Sequence, residues 1–126
     1  SIHPRTRNKL EEFSIDIKNP NIRLMKPFGF FDFVKLEKNA KLVFTDSGTV
    51  QEECCIFNIP TVTTRDTTER PETVECGSNI ISGLNSNNIL SCTKTMLARN
   101  NDWEYPIGYI DNNVSDKIVR YLNGVI

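Results

Sequence analysis

The chain has one histidine, His3, and one tryptophan, Trp103. It has no C-x-x-C pair. Zinc centres are built from clustered histidines and cysteines, so no metal site is expected, and no cofactor. A basic excess is also missing: 15 Lys and Arg stand against 16 Asp and Glu, a formal charge of −1. A general nucleic-acid binder would carry that excess. No apolar run approaches the roughly 20 residues of a membrane span, and no secretory leader pattern is visible. Cys54, Cys55, Cys76 and Cys92 lack the spacing of a small secreted disulfide framework. They are expected to be free thiols in a reducing cytoplasm.

What is present is ordinary for a globular protein: 126 residues, 38% apolar and 25% charged. That suffices for one domain with a real core. The chain opens on Ser1, and Ser1-Ile2-His3 reads as the tail of a strand. The expectation is therefore one domain, residues 1–126, forming the C-terminal part of a longer protein.

The chemistry concentrates between Lys41 and Glu72. Leu42-Val43-Phe44 is a short β-rich run, followed by Thr45-Asp46-Ser47-Gly48 and a helix from Thr49 to about Phe57. A strand that ends in small polar residues and opens into a helix is a ready anion site, because the first helical N–H groups lack intrahelical partners. Gly48 lets backbone approach an oxygen closely, and Ser47 adds a hydroxyl. An Asp or Ser there serves equally as a plain N-cap. Ile59 to Thr64 reads as the next strand, and Arg65 to Glu72 follows at once, with Pro71 suited to a first helical turn. In a parallel sheet both loops reach the same edge, where open α/β folds bind ligands. One loop offers N–H groups and Ser47. The other offers Arg65 and Arg70.

These residues carry a resemblance. DSGT-x-QEE followed by RDTTERPE-x-VE-x-G resembles the non-hydrolysing UDP-N-acetylglucosamine 2-epimerases. The likeness runs from about Ile2 to about Leu122 and is weakest between Gly83 and Gly108. It implies a Rossmann-like three-layer α/β sandwich with a mostly parallel sheet, the C-terminal half of a glycosyltransferase-B-type two-domain fold. It implies that Ser47, Gly48 and Arg70 meet the diphosphate, and that Glu53 takes the ribose hydroxyls. The main chain of Phe33 would lie at the uracil edge, and His3 near the cleft, where some members contact a second nucleotide sugar. A carboxylate suits two vicinal hydroxyl donors. Glu52 and Glu53 point about 100° apart on a helix, so one of them should face solvent. The implied reaction interconverts UDP-GlcNAc and UDP-ManNAc by elimination and readdition of UDP, in surface polysaccharide biosynthesis. The carboxylates that act on the sugar belong to the family's N-terminal half, so this chain is expected to bind UDP weakly and to turn nothing over. A homodimer is implied for the whole protein. Thr49 stands where many members have a second glycine, and Asp111-Asn112-Asn113-Val114 replaces a Gly-Asp-Gly-like turn. Both departures point toward a related UDP-N-acetylhexosamine. A hydrolysing relative, a glycosyltransferase of the same fold and a stand-alone nucleotide-sugar-binding module are the alternatives.

The remaining elements follow from pattern. Pro4 to Phe13 reads as a helix with Leu10 and Phe13 inward. Ile22-Arg23-Leu24-Met25 alternates as a strand does. Gly29 or Phe30 to Asn39 reads as a helix whose phenylalanines, Val34 and Leu36 pack in the core. Pro71 to about Cys76 is a short helix closed by Gly77, Asn79-Ile80-Ile81 a strand, and Asn85 to Asn88 a polar turn. Ile89 to about Ala98 is helical, with Ile89, Leu90, Met96 and Leu97 as apolar contacts. Trp103 to Ile110 is irregular, and a final helix runs from Asp116 to about Asn123.

Overall fold

The computed structural model describes residues 1–124. The described chain divides into two compact units, Ser1–Leu36 and a second that begins at Glu37. The first unit holds α1, Pro4–Glu12, and most of α2, Phe30–Lys38. Proline opens α1, where its missing N–H costs nothing, and Nδ1 of His3 accepts from the Arg5 N–H as a cap. The expected strand at Ile22–Met25 is not formed. Ile22, Leu24 and Met25 are all exposed, and of the main-chain bonds here one is a local turn, Ile22 N to Asn19 O, and one runs from Ile2 N to Met25 O, each at 3.0 Å. Strand propensity needs paired neighbours to act on, and no strand lies in this unit to pair with. Phe13, expected inward, is exposed beneath the Lys9 ammonium, 5.4 Å from its ring centre.

The second unit is built on three parallel strands in the order β1 (Val43–Thr45), β2 (Thr61–Thr63), β3 (Asn79–Ile81). Val43 aligns with Thr61, and Thr61 with Asn79. The crossovers are α3 (Gly48–Ile56) and α4 (Pro71–Glu75); α5 (Ser86–Leu97) packs against β2 and β3, and α6 (Val114–Gly124) closes the described chain. Two C-terminal stops are local. Asn58 takes φ +59° after α3, and Gly77 takes φ +88° after α4, a conformation that favours glycine. The helix α5 starts three residues before the expected position. Asn85 caps it, its side-chain oxygen accepting from the N–H groups of Asn87 and Asn88.

Alternation along β2 sends Thr61 and Thr63 to one face and Val62 to the other, and all three are buried. On the threonine face the core is polar. Asn79 accepts from Thr63 Oγ1 at 2.8 Å and donates to Gln51 Oε1 at 3.1 Å and Thr73 Oγ1 at 3.2 Å. Gln51 also accepts from Thr68 Oγ1 at 2.6 Å, while its own Nε2 is buried without a partner among the described residues. A buried network of this kind is costly when broken, because each orphaned group keeps its full desolvation penalty. The four cysteines are free, as expected. The apolar faces expected to form core are largely exposed. Phe30, Phe31 and Leu36 of α2 face outward, as do Leu90 and Leu97 of α5. The one buried residue of α2 is Glu37. Asn79→Leu should therefore cost about 3 kcal/mol, read as a lower urea midpoint with an unchanged m-value. Thr73→Val should cost less, and a neutral Asn79→Leu would remove the network as a source of stability.

Candidate functional site

The β1–α3 loop is short and fully specified. Thr45 Oγ1 accepts from the Ser47 N–H at 3.0 Å, which turns the chain out of the strand. Ser47 sits at the N-cap with extended backbone, yet its hydroxyl makes no cap bond. The first-turn N–H groups of α3 have no intrahelical acceptors. The helix start favours an anion, and Ser47 beside it carries a hydroxyl that no cap bond uses.

The β2–α4 loop closes over this start. Arg65 donates to Asp46 O at 3.3 Å and pairs with Glu69 at 3.2 Å. Glu69 is held below the usual carboxylate range by its own N–H and by the Arg65 charge. Arg70 lies against Gly48, its Cγ and Cζ each 3.6 Å from where a Cβ on that glycine would stand. An added methyl would make ordinary contact with the arginine, so what Gly48 keeps clear is the surface under Arg70. The Arg70 Nε pairs with the Glu52 carboxylate, and Nη1 donates to Glu69 O at 2.9 Å. The bond and charge of Glu52 raise the guanidinium pKa, so Arg70 stays a cation. Its main chain is clamped as well. The Arg70 N–H donates to Thr68 Oγ1 at 3.0 Å, and the Arg70 carbonyl accepts from Thr73 Oγ1 at 2.7 Å. Beyond it, Glu72 accepts from Tyr109 Oη at 2.8 Å. A backbone bond and then that phenol hold Glu72 low, while burial and Glu72 push the tyrosine up.

Ser47, Gly48 and Arg70 thus come together, with Arg65 bonded to the neighbouring Asp46 carbonyl. Glu53 sits on α3 five residues past Gly48, about 140° around the helix from it. It is half-buried, and its carboxylate makes no hydrogen bond or ion pair among the described residues. His3 and Phe33 belong to the first unit. His3 caps α1, and the Phe33 N–H donates to Gly29 O at 3.0 Å in the first turn of α2. Neither Glu52 nor Glu53 is the solvent-facing acid expected from their spacing: both are half-buried. Sequence reasoning passed over Glu52. The available signal was its position four residues after Gly48, on the same helical face. It also passed over Gln51, whose 0% exposure depends on partners 17 and 28 residues away. No cluster able to hold a metal occurs among the described residues. Burial pushes the thiols up, Cys54 to about 12 and Cys55 to about 11, which suits packing rather than nucleophilic work.

A sequence model of the family described as UDP-N-acetylglucosamine 2-epimerase matches residues 1–123. The chain belongs to the UDP-N-acetylglucosamine 2-epimerase family. It is 48% identical over 126 residues to the UDP-N-acetylglucosamine 2-epimerase of Methanococcus maripaludis, covering 98% of this chain and 34% of that one. The crystal structure of the Methanocaldococcus jannaschii UDP-GlcNAc 2-epimerase in complex with UDP-GlcNAc and UDP superimposes with a TM-score of 0.88 at 44% identity, again over 98% of this chain and 34% of that one. A UDP-2,3-diacetamido-2,3-dideoxy-D-glucuronate 2-epimerase of Pseudomonas aeruginosa is 33% identical, covering 96% of this chain and 33% of its own length. The chain spans about a third of the length of the curated relatives it matches. The expected α/β fold with a parallel sheet, of the glycosyltransferase-B type, agrees with these structural relatives.

In this epimerase-family chain Glu37 of α2 lies outside the β1–α3 and β2–α4 loops. Glu37 is 3% exposed, and neither carboxylate oxygen has a hydrogen-bond partner among the described residues. Burial first, then the Glu53 charge, raises its pKa from 4.5 to about 7. The folded state therefore keeps a proton that an unfolded glutamate has released. Stability should fall as pH rises from about 4.5 to about 7 and then level off, by up to about 3 kcal/mol. Urea midpoints at pH 5 and pH 8 read this directly. Glu37→Gln should flatten the difference, and an unchanged pH profile in that variant would clear Glu37 of the effect.

Proposed function

We propose that residues 1–126 form the C-terminal, UDP-binding domain of a non-hydrolysing UDP-N-acetylglucosamine 2-epimerase, which interconverts UDP-GlcNAc and UDP-ManNAc. The carrying observation is the cation of Arg70 laid over the open start of α3, beside a Ser47 hydroxyl that no cap bond uses. In this reading the first-turn N–H groups, Ser47 and Arg70 receive the diphosphate. The unpaired Glu53 carboxylate accepts from the ribose hydroxyls. The main chain of Phe33 lies at the uracil edge, and His3 serves a second nucleotide sugar.

The reaction removes the C2 proton and expels UDP to leave a 2-acetamidoglucal, to which UDP returns with the proton on the other face. The residues here act on the leaving group. Fixed donors and a cation stabilise charge as it gathers on UDP, and they cost no reorganisation at that moment. They also keep UDP oriented for readdition. The acid and base at the sugar are assigned to the part of the relatives' length that this chain does not match. The protein is placed in the cytoplasm, as a homodimer, supplying surface polysaccharide synthesis. A related UDP-N-acetylhexosamine is the second reading for the substrate. Thr49 and the Asp111-Asn112-Asn113-Val114 turn support it, as does the likeness to the Pseudomonas aeruginosa 2-epimerase.

Titration of the chain with UDP, followed by backbone amide shifts, tests the site. Amides near Phe33, Ser47, Gly48 and Glu53 should move, and Ser47→Ala and Glu53→Ala should each weaken binding, the latter by about 1–3 kcal/mol. No shift at millimolar UDP would overturn the reading. The chain alone should show no epimerase turnover.

A further inference from the structure

Glu52 has no part in the contacts proposed for UDP. It lies four residues after Gly48, about 40° around α3 from it. Helical side chains lean toward the N-terminus, so its carboxylate rises toward the first turn, where it meets Nε of Arg70. Arg70 is thereby held at three points: Nε on Glu52, Nη1 on Glu69 O, and the stem against Gly48. Nη2 makes no hydrogen bond among the described residues.

We propose that Glu52 is a positioning residue, holding the Arg70 guanidinium over the first turn of α3 so that its Nη edge meets the diphosphate of a bound nucleotide. This rests on the reading of that loop as the diphosphate site. Two effects oppose each other. The carboxylate partly offsets the cation that a phosphate would seek. It also removes the rotamer freedom that Arg70 would otherwise lose on binding. Each side chain of the pair is 34% exposed, and solvent screens most of the coulombic interaction at such a site. The entropy of a long arginine side chain is not screened. Positioning therefore outweighs competition.

The test compares UDP with uridine, which lacks the diphosphate, by calorimetric titration of the wild-type chain, Glu52→Ala, Glu52→Gln, Arg70→Ala and the Glu52→Ala/Arg70→Ala double variant. Glu52→Ala should weaken UDP about three- to tenfold and leave uridine unchanged. Glu52→Gln, which keeps an acceptor for Nε–H, should recover part of the loss. In the Arg70→Ala background Glu52→Ala should add nothing. Tighter UDP binding by Glu52→Ala would make Glu52 a competitor and overturn the proposal. So would an equal loss for uridine, or a loss that persists without Arg70, since either marks a merely structural role. If Arg70→Ala weakens UDP and Glu52→Ala does not, Glu52 alone is excluded. If Arg70→Ala leaves UDP binding unchanged, the diphosphate assignment fails first and this one with it.

Discussion

The amide oxygen of Gln51 accepts one hydrogen bond from Thr68 and another from Asn79, and the second unit depends on that junction. Through Thr68 it reaches the N–H of Arg70. Through Asn79 and Thr73 it reaches the Arg70 carbonyl. Both main-chain groups of the arginine are therefore fixed by one buried network that also joins α3 to β3. Apolar burial alone could not do this, because it is not directional. A threonine- and asparagine-lined sheet face gives up part of the hydrophobic gain and obtains a defined loop in return. Among the described residues the buried apolar side chains Cys54, Cys55, Ile59, Val62 and Met96 are few and mostly small, so polar satisfaction takes a large share in specifying this unit.

The same arrangement explains why the loop can carry a cation near a helix start. Arg70 would be repelled by the positive end of the α3 dipole if it stood there free. Glu52 on the same helical face pairs with its Nε, and Glu69 O accepts a further bond. In the proposed reading, a phosphate at this helix start would meet an arginine already held in place, which lowers the cost of ordering it. Glu37 shows the opposite economy: a carboxyl buried with no partner, kept neutral by burial at the expense of stability once the pH rises.

Much of the second unit was legible because its signals are local. Strands β2 and β3 lie within the expected runs, β1 is shifted by one residue to Val43–Thr45, and α3 and α4 start within one residue of the expected positions. Gly77 stops α4 at its positive φ, and Ser47, Gly48 and Arg70 gather at one edge because parallel strands bring their following loops there. The failures are equally instructive. Ile22–Met25 has the alternation of a strand, but alternation states only which residues could share a face, not whether a neighbour exists to cover it. The phenylalanines of α2 have helical spacing, but Phe30 and Phe31 are exposed and Glu37 is the residue that is buried. Periodicity assigns a face without saying what lies against it.

By itself the sequence determined the family, the parallel α/β order and the identity of the loop residues, since short ordered motifs, turn residues and caps act over a few positions of chain. The tertiary structure decided what each polar side chain does. Whether Glu52 faces solvent or Arg70, whether Gln51 is a surface amide or the centre of a buried network, and whether Glu37 holds its proton all depend on partners far along the chain and on water being absent. Hydrogen bonding and desolvation are set by what surrounds a group in space, and sequence spacing carries no record of that.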